Sequence, residues 1–137
     1  MNDTSHSILV VEDDPHQATL LKRVCARGDS QAHVQVTRSA EEAIAYLTRP
    51  GPDTGVASRL PDIILLDVLM KGIGGLGFLE WYSQQTTLQH IHVVVFTSSE
   101  DEELAGRCMS LGAREFVVKS WDFTQVLPVL FQNLTDR

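Results

Sequence analysis

Positive charge is scarce in this chain. Eleven Lys and Arg stand against eighteen Asp and Glu, for a formal net charge of −7. That balance disfavours a surface that tracks phosphates, so nucleic acid is not expected as a direct partner. Cysteine is nearly missing: Cys25 and Cys108 lie far apart in apolar, helix-like contexts. No CxxC spacing offers a zinc or redox site, so both read as small core residues of a reducing compartment, with a disulfide between them left open. No apolar run approaches the ~20 residues of a membrane-spanning helix, so no membrane association is expected. The polar start "MNDTSHS" has no basic segment and precedes only four apolar residues, unlike a signal peptide, and a cytoplasmic location is expected. His6, His16, His33, His90 and His92 are scattered and show no metal-ligand spacing. There is no linker, repeat or low-complexity tract, so one domain over 1–137 is expected. At 43% hydrophobic and 21% charged the chain is ordinary for a globular protein and long enough to bury a core.

What is present is a regular alternation. "SILVV" (7–11), "DIILL" (62–66), "HVVVFT" (92–97) and "EFVV" (115–118) are short, apolar and rich in β-branched residues. Such runs fit strands covered on both faces, as in parallel sheets, while "AHVQVT" (32–37) alternates and suits a less buried place. Helical patterns lie between them. Asp14 caps a helix with Pro15 at its first position, and Leu21, Val24 and Cys25 share a face. Ser39-x-x-Glu42 is a capping-box pattern ahead of Ala40, Ala43, Ile44 and Leu47, and Ser99-x-x-Glu102 is a second, ahead of Leu104, Cys108 and Leu111. "LGFLEWYSQQ" (76–85) supplies Leu76, Leu79 and Trp81 or Tyr82. A last helix opens at Asp122, with Leu127, Leu130, Phe131 and Leu134 as its stripe and a bend at Pro128. Five strands alternating with five helices imply a doubly wound α/β sheet, for which 2-1-3-4-5 is the natural strand order. The Pro/Gly-rich stretch "PGPDTGVASRLP" (50–61) is a loop longer than usual for such a unit.

In open α/β sheets ligands bind at the carboxyl ends of the strands. Those ends carry Glu12, Asp13 and Asp14 after the first run, Asp67 after the third, Thr97 with Ser98 and Ser99 after the fourth, and Lys119 after the fifth. The proposed order makes these strands neighbours, so acids, a hydroxyl and an ammonium converge on one rim. Carboxylates brought this close repel and raise one another's pKa, which a divalent cation relieves; oxygen ligands of this kind suit Mg²⁺. A cation and Lys119 would keep Asp67 ionised and nucleophilic. The chemistry such a rim supports is phosphoryl transfer onto the Asp67 carboxylate, with Lys119 and Thr97 meeting the phosphoryl oxygens.

In this pattern the chain resembles the receiver domains of two-component response regulators, along essentially its whole length. "ILVVEDDP" is similar to the acidic-pair motif, "PDIILLDVLM" to the phosphoacceptor strand, "VVVFTSS" to the switch-threonine strand and "GAREFVVKS" to the lysine strand. The resemblance implies a flavodoxin-like fold, with Asp67 phosphorylated by a histidine kinase or a histidine phosphotransfer protein. It implies Asp13 as direct Mg²⁺ ligand, Glu12 as the second acid and the main-chain carbonyl of Leu69 as a further ligand. Phe116 matches the aromatic switch that follows Thr97, and Ser98 is the small residue giving access to the site.

Three positions depart from the family pattern. Lys71 stands where proline is usual, removing a rigid element and adding a charge. Ser120 stands where a cis-proline is usual, and since a cis bond without proline costs about 2.5–4 kcal/mol, a trans Lys119–Ser120 bond and an altered approach to the last helix are expected. Gly74 stands where a polar residue is common. The long 50–61 loop resembles the single-domain subgroup associated with phytochrome-type kinases.

Since only Thr135 to Arg137 follow the last apolar stripe, no effector domain is expected. Output would run through partner binding on the surface of the fourth helix, fifth strand and fifth helix, with Trp121, Phe123 and Val126 as candidates. Phosphorelay carrier and diffusible effector acting on a downstream protein effector are both compatible, and so is a homodimer on that face. A haloacid-dehalogenase-like phosphatase also uses a strand-end Asp, Mg²⁺ and a Lys. It would need a general acid where Leu69 stands, and a cap domain. A degenerate receiver that binds partners without phosphorylation is the third reading. The acids, Thr97 and Lys119 argue against it; Lys71 and Ser120 argue for it.

Overall fold

Continuous apolar runs make strands that need cover on both sides, and the helices between them supply it. The structure, a computed structural model, describes residues 7–28, 33–49 and 60–119. In chain order these form β1 (Ser7–Val11), α1 (Pro15–Gly28), β2 (His33–Thr37), α2 (Ala40–Thr48), β3 (Ile63–Asp67), α3 (Gly74–Ser83), a 3-10 turn (Thr86–Leu88), β4 (His92–Thr97), α4 (Glu102–Ser110) and β5 (Glu115–Val118). The strands pair in parallel in the order β2-β1-β3-β4-β5, as the alternation implied. Among the described residues there are four α-helices. The expected fifth, with Pro128, Trp121, Phe123 and Val126, lies outside them, as do the Lys119–Ser120 bond and most of the 50–61 loop.

The pleat divides the core in two. Leu9, Val11, Ile64, Leu66, Val93 and Val95 face the layer of α2, α3 and α4, where Ala43, Leu47, Phe78, Tyr82 and Cys108 pack. Ile8, Val10, Ile63, Leu65, Val94 and Phe96 face the other way, toward Leu21, Val24 and Cys25 of α1. This is the period of two that a strand imposes on its side chains. Cys25 and Cys108 are both free and buried, one in each layer. The sheet stands between them, so the disulfide left open by the sequence does not form. Burial pushes the Cys25 thiol up to about 12, which makes it a core residue rather than a nucleophile. β2, at one edge of the sheet, is less buried than β1 and β3, as its alternation suggested.

One helix start differs from the sequence expectation, and one that the sequence left open is set by glycines. α4 is capped by Asp101, whose side chain accepts from the Glu103 amide at 2.9 Å; Ser99 instead accepts from the Asp101 amide at 3.1 Å. Starting later puts Glu102 and Glu103 in the first turn, where the helix dipole favours them. α3 starts at Gly74, ahead of Leu76, because two glycines let the chain turn sharply. Gly74 has φ +70, and a Cβ on Gly75 would lie 2.3 Å from Val68 Cα. The start of α3 therefore presses directly on the backbone after Asp67. In α2 the expected cap holds: Ser39 Oγ accepts from the Glu42 amide at 2.9 Å, while Glu42 reaches back to the Arg38 amide.

Candidate functional site

The pleat also selects which groups meet at the carboxyl edge. Stepping by two from the buried residues on the α1 side leads from Val10 to Glu12, from Leu65 to Asp67, from Val94 to Phe96 and from Val117 to Lys119. Asp67 pairs directly with Phe96 in the β3–β4 register. The Lys119 amide extends the next ladder by donating to the Thr97 carbonyl at 2.6 Å, which carries its side chain to the rim. There Lys119 Nζ lies 3.1 Å from Glu12 Oε1, 3.4 Å from Asp67 Oδ2 and 4.7 Å from the centre of the Phe96 ring.

Glu12, Asp13 and Asp67 each offer a carboxylate oxygen, and these atoms lie within 4.8 Å of one another. Asp14 is not part of this group. It caps α1, accepting from the His16 amide at 2.8 Å, as its place before Pro15 indicated. Glu12 is almost fully buried, and its carboxyl is raised from 4.5 to about 7. Desolvation is the main cause and the nearby Asp67 charge the second. The Asp14 amide and the Lys119 ammonium pull the other way and only partly offset them. Three clustered acids with one ammonium among them are short of positive charge. An all-oxygen donor set of this kind fits a hard divalent cation such as Mg²⁺.

Around the acids runs a series of backbone donors. The Leu69 amide donates to Asp67 Oδ1 at 3.0 Å, the Lys71 amide to Asp13 Oδ2 at 3.4 Å, and the Ile73 amide to Glu41 Oε2 at 3.5 Å. Every second amide of the loop after Asp67 thus meets a carboxylate. Leu69 turns its side chain to solvent, 53% exposed, and sits two residues from Asp67, where its carbonyl was expected as a ligand.

Two of the remaining expected residues, Thr97 and Phe116, fall on the other side of the pleat. Thr97 follows Val93 and Val95, is fully buried, and its hydroxyl accepts from the Ser99 amide at 3.2 Å. Phe116 is the register partner of Val95 and packs, partly buried, against the α2–α4 layer. Ser98, next to Thr97, is exposed. Sequence reasoning missed Phe96, Glu41 and the loop amides. Phe96 had a signal, since it stands opposite Asp67 once the strands are paired. The amides had none, because a backbone donor is the same in every residue type but proline.

Comparison with known proteins agrees with this geometry. The family described as response regulator receiver domain matches residues 8–130. The chain belongs to that family. A protein-glutamate methylesterase/protein-glutamine glutaminase of Myxococcus xanthus is 30% identical over 82% of this chain and 29% of its own length. A two-component response regulator of Oryza sativa subsp. japonica is 29% identical over 82% of this chain and 48% of its own. The chain thus spans less than half the length of these curated relatives. Among solved structures, the phosphorylated cyanobacterial phytochrome response regulator RcpA superposes with a TM-score of 0.79 at 25% identity, covering 96% of this chain and 92% of that one. The bacteriophytochrome response regulator AtBRR gives 0.70 at 31% identity, with 94% and 93% covered. The Mn(2+)-bound response regulator Rcp1 gives 0.75 at 26% identity, with 94% and 91% covered. The flavodoxin-like receiver fold is therefore the fold of this chain, and two-component signalling is its setting.

Proposed function

We propose that this receiver accepts a phosphoryl group on Asp67 from the phosphohistidine of a histidine kinase or phosphotransfer protein. The observation that carries the reading is the Lys119 ammonium bridging Glu12 and Asp67 beside a third carboxylate, Asp13. A carboxylate oxygen of Asp67 forms the new P–O bond as the donor's P–N bond breaks and the imidazole leaves. Lys119 meets the charge on the phosphoryl oxygens. The Thr97 hydroxyl accepts from Ser99, which leaves its own proton to be donated to a phosphoryl oxygen. Glu12, Asp13, Asp67 and the Leu69 carbonyl would hold Mg²⁺, which when bound supplies positive charge for the same oxygens. Ser98, beside the buried Thr97, is exposed and small, which suits the access role expected of it.

The acyl phosphate so formed is a reversible mark, and its output is a change in partner binding, with no turnover of an external substrate. Thr97 and Phe116 lie in the half of the sheet next to α4, so the face of α4, β5 and the chain that follows is the proposed surface for a downstream effector or a second copy. The likeness to phytochrome response regulators makes a phytochrome-type kinase the donor we favour. No helix among the described residues is long and apolar enough to cross a membrane.

A small phosphodonor with Mg²⁺ should add one phosphoryl group to the wild type, read by intact mass under neutral conditions. Asp67→Asn should add none; a modified Asp67→Asn would refute the assignment. Asp13→Asn should keep its fold but lose at least about tenfold in Mg²⁺ affinity by calorimetric titration. Unchanged affinity would show that the ligand set is wrong.

A further inference from the structure

Lys119 has a third neighbour that the phosphoryl-transfer reading does not use. Its ammonium stands over the Phe96 ring, 4.7 Å from the centroid. The ring is fully buried, and the Lys119 side chain is only 15% exposed. We propose that Phe96 is a positioning residue: its ring face holds the Lys119 ammonium between Glu12 and Asp67. The inference rests on the function proposed for Lys119 but can be tested apart from it.

The argument is one of donors and acceptors. An ammonium carries three N–H groups and needs a partner for each when water is largely excluded. Glu12 Oε1 at 3.1 Å and Asp67 Oδ2 at 3.4 Å take two of them. The third side of the ammonium faces a ring whose surface is electron-rich, an attraction that strengthens as the pair is desolvated. An aliphatic wall would leave that side against hydrocarbon, and the ammonium would move toward solvent or fully onto Glu12, the nearer acid. Phe96 is anchored for the task. It is the strand partner of Asp67 on one side and of Val117, two residues before Lys119, on the other. One ladder of backbone bonds therefore sets ring, nucleophile and ammonium in mutual register.

The test is a double-mutant cycle on unfolding equilibria with Phe96→Leu, Lys119→Met and the pair, measured without phosphodonor or divalent cation. Phe96→Leu should change the unfolding constant at least about fivefold more when Lys119 is present than when it is Met. Equal effects in the two backgrounds would overturn the proposal. Should Phe96→Leu not fold, the wild type still decides: the Lys119 Cε protons should show an upfield ring-current shift by NMR, retained in Phe96→Tyr, and its absence would sink the idea. With a small phosphodonor, Phe96→Leu should then take up phosphoryl groups about five to ten times more slowly, and Phe96→Tyr at close to the wild-type rate. Failure of all phosphoryl uptake would count against the role of Asp67 and leave the cycle and the NMR shift intact.

Discussion

The backbone amide of Lys71 donates to Asp13 Oδ2 at 3.4 Å, joining residues 58 apart in the chain. Proline at position 71, the usual residue in the family pattern, has no such proton. The bond thus ties the loop after Asp67 to the acidic pair in a way that the usual sequence cannot.

Lys71→Pro should therefore cost about 1 kcal/mol of stability in metal-free chemical denaturation, since it removes the amide that donates to Asp13. Lys71→Ala keeps the amide and should stay within about 0.5 kcal/mol of wild type. Equal losses in both would mean that the ammonium, not the backbone, makes the link.

Glu12 sets a pH dependence with a definite sign. The folded chain keeps this proton up to about 7, whereas the unfolded chain releases it near 4.5. Between those values the folded state binds more protons, so its advantage is complete below 4.5 and disappears as pH rises through 7. In chelator, stability should fall over that window by up to about 3 kcal/mol, and Glu12→Gln should flatten the slope. Urea titrations at several pH values measure it. A wild-type curve parallel to that of Glu12→Gln would contradict the assignment.

Two glycines offer a matched pair of tests. A Cβ at Gly75 would sit 2.3 Å from Val68 Cα, whereas at Gly106 in α4 it would meet nothing within 4 Å. Gly75→Ala should cost more than about 3 kcal/mol, because backbone must give way next to Asp67. Gly106→Ala should add about 0.5–1 kcal/mol by removing helix-opposing entropy. Thermal melts of the two variants check both signs.

Strand composition and helix spacing were enough to read the sheet order and to place Glu12, Asp13, Asp67 and Lys119 together. Those features rest on burial and on period, which residue types report directly. The start of α4 was misread because Ser99 and Asp101 can each cap a helix, and only the path of the loop decides between them. The apolar spacing from Leu76 carried no start for α3, which is set by the close approach of Gly75 to Val68 in the loop after Asp67. The partner of Lys119 in Phe96 was hidden by ambiguity: an apolar strand residue beside Thr97 looks like core until pairing sets it against Asp67.

The pleat of β4 has one more result. Phe96 and Thr97 are consecutive, yet one looks toward α1 and the other toward the opposite layer. Their duties depend on counting residues more than on their kind. Losing or gaining a single position earlier in that strand would exchange ring and hydroxyl across the sheet. Exchanges among the buried aliphatic residues of β4 that conserve volume keep this phase, whereas an insertion or deletion there would move ring and hydroxyl away from the positions proposed for them even if the chain still folded.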